Sequence, residues 1–231
     1  MQIGQRLKKI ASFVPPGVKM ADIGTDHAYL PVYLIKENIV SEAIVTDITD
    51  GPLAAAKMSV DQAGFQAYVQ IRKGDGLCPI KPGEVNVITI AGMGGTTIAG
   101  IIDRSLPAAK AADLLVLQPM GESAALRRFL YQNGWYLADE DLVEEAGHLY
   151  QVLLVKKADE IMFTPDDFTL EVGPVLKEKR PEFFKEHLQN IFLKYKHICE
   201  SMEKSQKAVQ SEKYFAAKQL LKQTEVFMKC L

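Results

Sequence analysis

Cysteine is scarce: the 231 residues hold three, Cys78, Cys199 and Cys230, an odd number spread far apart. No CxxC pair or Cys/His spacing suits a metal, so neither a disulfide framework nor a zinc site organises this chain. A reduced, cytoplasmic setting without a metal is expected. Long apolar runs are missing too. No stretch approaches the ~18 residues that span a bilayer. Arg6, Lys8 and Lys9 are followed by neither an apolar signal core nor a small-residue cleavage site, so a soluble protein with no membrane partner is expected. Charge of one sign is also lacking, with 27 Lys+Arg against 29 Asp+Glu for a net −2. That balance excludes a strongly basic nucleic-acid coat, and 48% apolar residues exclude a disordered tail. Internal repeats and low-complexity segments are absent. The apolar content suffices for a full core in one large domain, or one domain plus a small appendage.

Position resolves the charge better than the sum does. Residues 1–157 carry 15 basic and 17 acidic side chains, residues 158–175 five acids and no base, and residues 176–231 twelve bases against seven acids, a balance of +5. Strand-like runs stop after Lys157. Both shifts predict a domain boundary near 158–165, giving domains 1–160 and 161–231.

The first segment alternates strands and helices. Ile3, Leu7 and Ile10 mark a helix over Gln2–Phe13, stopped by Pro15-Pro16-Gly17. Buried-strand runs follow at Val18–Ile23, Ala43–Asp47, Val69–Arg72, Val85–Ala91 and Leu114–Gln118. Helical stretches lie between them at Leu30–Asn38, Pro52–Ala63, Thr96–Asp103 and Ser123–Asn133. A closing hairpin of Trp135–Glu144 and His148–Lys157 brings the strand count to seven. The expected fold is α/β, a mostly parallel sheet covered on both faces.

The second segment is helical. Phe184, Leu188, Ile191, Tyr195, Ile198 and Met202 keep heptad spacing, and a second stripe runs through Tyr214, Ala217, Leu221, Thr224 and Met228. Together they predict an antiparallel coiled-coil hairpin, with Pro181 in the first turn of its first helix. Lys185, Lys194, Lys196, Lys213, Lys218 and Lys222 suit an RNA-gripping face or, equally, an ordinary solvated face on a dimerising hairpin. A monomer and a homodimer both fit.

In an open parallel sheet, ligands bind outside the carboxyl ends of the strands. Those ends read Asp22-Ile23-Gly24-Thr25-Asp26-His27, then Asp47, then Gly74-Asp75-Gly76, then Ala91-Gly92-Met93-Gly94-Gly95. Singly, each glycine reads as a turn residue and each acid as a helix cap. Acids or glycines at four successive strand ends form a constellation. Asp26 stands where a dinucleotide loop has its second glycine, and two like charges ~4 Å apart repel by roughly 4 kcal/mol. A pyrophosphate, and with it a nicotinamide cofactor, is therefore disfavoured. S-adenosylmethionine has no phosphate and carries two cationic groups, so the acids suit it, with backbone NH groups of the loop left for its carboxylate. Asp47 then suits the ribose diol, Asp75 the adenine amine and the Gly76 NH a ring nitrogen. Gly92, Gly94 and Gly95 allow close approach.

The motifs DIGTDHAYLP (22–31), DITDGPLAAAK (47–57), KGDGL (73–77), ITIAGMGG (88–95) and LVLQP (115–119) resemble the bacterial tRNA adenine-22 N1-methyltransferase family. The resemblance spans the first segment and reaches the tail by pattern only. It implies a Rossmann-like class I methyltransferase domain with a seven-stranded sheet, S-adenosylmethionine as methyl donor, and a C-terminal coiled coil that grips tRNA. It also implies that Asp22, Gly24, Asp26, His27, Asp47, Asp75, Gly76, Ala91, Gly92 and Met93 line the donor pocket.

The scarcity of catalysts fits that chemistry. Adenine N1 presents a free lone pair, so attack on an activated methyl needs positioning and desolvation rather than a base. Asp26 is the candidate catalytic residue, accepting from the exocyclic amine of the target adenine, or else it binds the donor's ammonium. His27 is a stacking or hydrogen-bonding candidate, or a loop histidine that fixes the turn. Tyr29, Tyr33, Phe65 and Tyr68 are stacking candidates, although aromatics at helical spacing more often fill a core. The AGMGG segment offers no side-chain amide for an exocyclic amine, which favours a ring nitrogen as target. The alternatives are a small-molecule S-adenosylmethionine-dependent methyltransferase with a dimerising tail, an oxidoreductase on the same fold, and a non-catalytic RNA-binding protein.

Overall fold

The aliphatic runs form one seven-stranded sheet in the computed structural model, which describes residues 2–160 and 163–231. Its strands are β1 (Val18–Ile23), β2 (Val40–Asp47), β3 (Val69–Lys73), β4 (Val87–Met93), β5 (Leu114–Pro119), β6 (Trp135–Glu145) and β7 (His148–Lys157). Their spatial order is β3-β2-β1-β4-β5-β7-β6. The first five are parallel, and β7 inserts antiparallel to both β5 and β6. The parallel strands are apolar on both faces because helices cover both sides, and Met20, Ala21, Ile44, Val45, Val87, Ile88, Ile90, Val116 and Leu117 are all buried.

The covering helices are α1 (Gln5–Ser12), α2 (Tyr29–Lys36), α3 (Asp50–Ala63), α4 (Gly95–Arg104), α5 (Leu106–Ala111) and α6 (Ser123–Gln132). The hairpin β6–β7 turns on Ala146 and Gly147, both with positive φ, the geometry that matches strand twist. Arg127 of α6 and Glu140 of β6 form a fully buried ion pair at 2.7 Å, and Arg127 also donates to Gln151 of β7 at 2.6 Å.

Strand order reverses between β1 and β4, and that switch point creates a crevice at their carboxyl ends. The sheet differs from expectation there in one respect. β4 does not end at Ala91 but runs to Met93, with Ala91 opposite Gln118 and Met93 opposite Pro119. Gly92 is skipped in the ladder as a bulge at φ +79°.

Two compact units divide at Thr164 and Pro165. The expected boundary after residue 160 adjoins residues 161 and 162, which lie outside the described residues. The second unit holds α7 (Asp167–Val172), α8 (Pro174–Lys179), α9 (Phe184–Met202) and α10 (Glu212–Lys229). α9 packs beside α10 through Tyr195, Ile198, Cys199 and Met202 against Tyr214, Ala217 and Leu221. Phe227 of α10 makes edge contacts with Phe168 and Phe184.

Two expectations for this unit need correction. Pro181 is not in the first turn of α9: it lies three residues ahead, its carbonyl accepting from the Phe184 NH at 3.1 Å. The acid-rich stretch is not merely a connector, because Asp166 caps α7 through the Thr169 NH at 2.9 Å. Assigning Asp166, Asp167 and Glu171 to the unit leaves residues 165–231 with twelve bases against ten acids, +2 rather than +5.

Candidate active site

A cleft of about 400 Å3 opens at the switch point, within the range of roughly 300–1,000 Å3 typical of small-molecule sites. Asp22, Gly24, Asp26, His27, Ala91 and Gly92 line it, together with Arg6, Leu7, Thr25, Ala28 and Tyr29.

The loop after β1 owes its shape to a few bonds. Gly24 takes φ +72°, and a Cβ there would fall 1.9 Å from Cε of Met93, so Met93 of β4 lies against the loop. The Gly24 and Thr25 NH groups both donate to the Thr46 carbonyl, at 2.8 and 3.1 Å. These two NH groups are thus engaged with β2, which narrows the loop NH groups left for a carboxylate to those beyond Thr25. Thr25 Oγ1 accepts from the Ala28 NH at 3.0 Å and holds Ala28, a non-glycine at φ +53°, at the head of α2.

Asp22 is buried and accepts from Thr89 Oγ1 at 2.7 Å. Burial pushes its pKa up, opposed by hydrogen bonds from Thr89 and Thr25. Asp26 is the opposite case, with its side chain 79% exposed and its carboxylate 3.4 Å from His27 Nε2. The His27 ring stacks on Tyr29 at 4.9 Å, nearly parallel at 10°. Of the four aromatic stacking candidates, Tyr29 lines this cleft. Tyr33 and Phe65 pack against the core, and the exposed Tyr68 sits edge-on to Phe65.

Asp47, Asp75 and Gly76 stand at the ends of β2 and β3, outside the cleft lining. Asp47 Oδ1 accepts from the Thr49 NH at 2.8 Å and Thr49 Oγ1 at 2.7 Å, which orients the carboxylate. The Asp47 carbonyl accepts from the Gly74 NH at 3.0 Å, and Thr46 Oγ1 donates to the Gly76 carbonyl at 3.1 Å, tying the two strand ends together. Gly76 takes φ +55°, and a Cβ there would meet Ile101 Cγ2 at 2.7 Å. Asp75 pairs with Arg104 at 3.2 Å, both about half exposed, a contact worth about 0–1 kcal/mol that a ligand can displace. Beside Asp47, Ile48 presents an aliphatic side chain that is 60% exposed.

Arg6 and Gln118 escaped the reading from sequence. Gln118, fully buried at the end of β5, accepts from Arg6 Nη1 at 2.7 Å and from the Gly92 NH at 3.2 Å. Gln118 lies in the LVLQP motif, which had carried a resemblance but no role. A buried carboxamide in an otherwise aliphatic strand was the available signal. Among the described residues no group of three or more His, Cys, Asp or Glu is arranged to hold a metal, and no helix is long and apolar enough to cross a membrane.

The family model for tRNA (adenine(22)-N(1))-methyltransferase matches residues 20–225. The tRNA (adenine(22)-N(1))-methyltransferase of Bacillus subtilis strain 168 is 38% identical over 218 residues, covering 90% of this chain and 91% of that protein. A crystal structure of the B. subtilis enzyme superposes with a TM-score of 0.81 at 34% identity, over 99% of this chain and 96% of that one. A Streptococcus pneumoniae structure solved in complex with S-adenosyl-L-methionine superposes at 0.83 with 32% identity, over 95% and 100% of the two chains. The sheet order, the acids and glycines at its strand ends and these matches agree: the chain belongs to the tRNA (adenine(22)-N(1))-methyltransferase family.

Proposed function

We infer that this protein methylates N1 of adenine 22 in tRNA, with S-adenosylmethionine as the donor. The observation that carries the reading is the family match over residues 20–225 joined to an acid-lined cleft at the strand switch point. It supports the tRNA reading rather than the small-molecule alternative. An activated methyl on a sulfonium is the chemistry the donor supplies.

The residues fit such a donor. Asp47, its Oδ1 fixed by Thr49, keeps Oδ2 for a ribose diol, and Ile48 offers an apolar surface to the adenine. Asp75 and the Gly76 NH suit the purine edge. Asp22, disfavoured as an anion by burial, is stabilised by a bound cation and so suits the donor's ammonium. Ala91 and Gly92 form the wall at the bulge, where their small size leaves room for approach to the methyl, and Met93 packs against the Gly24 loop behind it.

What the protein does for the reaction is hold and orient. The lone pair on N1 needs no base, so rate comes from alignment and exclusion of water. The adenine leaves its stack at a cost of a few kcal/mol. We assign Asp26, exposed at the mouth of the cleft, to accept from the exocyclic amine of that adenine and to offset the cationic product. His27, stacked on Tyr29, extends an aromatic platform beside it. The helical unit is assigned to tRNA backbone contacts. Lys194 and Lys196 have Glu171 and Glu200 as partners. Lys185, Lys213, Lys218 and Lys222 are exposed and pair with no acid among the described residues. Incubation with labelled donor and bulk tRNA, followed by nucleoside analysis, tests the reading. Label in N1-methyladenosine is expected, and label in N6-methyladenosine or in no nucleoside contradicts it.

A further inference from the structure

A second cavity in the first unit adjoins the cleft. It is a groove of about 690 Å3 between α2 and α3, inside the range typical of small-molecule sites. Tyr29 lines both cavities, so the two meet at one aromatic residue. Its ring already stacks on His27 and the residue is still 43% exposed, which leaves ring surface for a ligand. Val32, buried on α2, and Phe65, half-buried just beyond α3, complete the apolar lining. Around them stand Lys36, Gln62 and, ahead of α1, Gln2, all exposed. Among the described residues none of these three polar side chains has a hydrogen-bonding or ionic partner. The groove lining holds one cation and no acid, whereas the cleft lining includes Asp22 and Asp26.

Aromatic surface, two carboxamides and one unpaired ammonium match the parts of a nucleotide. A base has a flat π-face and an edge that a carboxamide can both donate to and accept from, and its phosphate is an anion. The methyl donor is a poor occupant, because its two cationic groups would meet Lys36 and no acid. The target adenine reaches the cleft as part of a strand, and turning it out of its stack strips one face of each neighbouring base. A neighbour tethered to the bound adenine arrives beside Tyr29 at high effective concentration, an advantage that a free ligand lacks. We propose that the groove is a subsite for the nucleotide next to the target adenine. Its base lies against Tyr29 and Phe65, its edge meets Gln62 and Gln2, and its phosphate is held by Lys36. The proposal rests on the tRNA reading above and adds a second point of contact to it.

Filter binding with altered transcripts of one tRNA tests it: intact, abasic at position 21, and abasic at position 23. With wild-type protein, one of the two abasic transcripts is expected to bind about 5- to 100-fold more weakly than the intact one. Equal binding of all three overturns the proposal. Ala63→Trp sets a bulky side chain in the groove lining. It is expected to weaken intact tRNA by a similar factor, to cost the sensitive abasic transcript less than about twofold, and to leave S-adenosylhomocysteine within about twofold. In a variant whose melting temperature is unchanged, equal loss for intact and abasic transcripts, or loss for neither, overturns the proposal. Lost S-adenosylhomocysteine affinity also overturns it, by giving the groove to the donor. So does a wild-type dimer that Ala63→Trp dissociates with tRNA affinity kept, which gives the groove to a second copy of the chain. If Ala63→Trp does not fold, Lys36→Gln combined with Gln62→Ala is read the same way. A few-fold loss on intact tRNA alone is then expected, with the salt dependence lower by about one charge, and the same loss on both transcripts overturns the proposal. Wild-type protein that binds and methylates no tRNA overturns the tRNA reading itself, a result distinct from the failure of the groove.

Discussion

Asp22 and Asp26 are four residues apart in one motif, yet the fold gives them opposite surroundings, one buried and one exposed. Asp22 closes into β1, where water is excluded and its pKa rises above the ordinary 3.8. Folding therefore favours its protonated form. Its contribution to stability is complete below the ordinary carboxylate range and is lost as pH rises through the raised value. Asp22→Asn should accordingly melt higher than wild type at pH 7, with the gap shrinking toward pH 4, while S-adenosylhomocysteine affinity falls about tenfold or more. Melting curves across that pH range and calorimetry check both signs. Stability bought at the expense of binding would mark Asp22 as a functional acid. For Asp47 the expectation is simpler. Each hydrogen bond from a ribose hydroxyl to a carboxylate is worth about 1.5–3 kcal/mol, so Asp47→Ala should raise the dissociation constant of S-adenosylhomocysteine about 10- to 100-fold. Unchanged affinity in that titration would remove Asp47 from the site.

At the scale of elements, glycine spacing turns out to encode packing as much as ligand approach. A Cβ on Gly95 would lie 2.4 Å from the Glu122 carbonyl oxygen and 2.9 Å from that of Gly121. Those are backbone atoms that cannot rotate away, so the first turn of α4 abuts the loop leading into α6. Gly95→Ala should destabilise the protein by about 1–3 kcal/mol in urea unfolding. The buried pair Arg127–Glu140 makes a second test, since removing one partner strands the other charge. Glu140→Ala should cost about 3–5 kcal/mol by the same measurement, and replacing both partners with apolar residues should cost less. The strands and long helices of the first unit were legible because runs of Val, Ile and Leu alternate with amphipathic stretches. α5, α7 and α8 were not, because six residues complete fewer than two turns and show no period. Gln118 and Arg6 were missed for another reason. Their meaning is a contact between residues 112 positions apart, which no local pattern announces, whereas Asp22, Gly24 and Gly92 cluster in short motifs at strand ends.

At the scale of the whole molecule, the near-neutral charge of −2 hides an uneven distribution, though a milder one than segment sums suggest. α7 brings acids into the helical unit, and Glu171 neutralises Lys194. Lys213, Lys218 and Lys222 on α10 are exposed and have no acidic partner among the described residues, and Lys218 and Lys222 share the helix face of Phe215, which is 60% exposed. Changing the three to Gln should weaken tRNA binding about tenfold near physiological salt and flatten its salt dependence by up to about three charges. S-adenosylhomocysteine binding should not change, and a filter-binding salt series beside calorimetry separates the two. The central claim is narrower than RNA binding: one ring nitrogen of one nucleotide receives the methyl. The most direct measurement uses two transcripts of a single tRNA that differ only at position 22, adenosine in one and guanosine in the other, each incubated with enzyme and labelled donor. The account predicts label only in the adenosine transcript, recovered as N1-methyladenosine. Equal labelling of the two transcripts, or label in a different nucleoside, would contradict it.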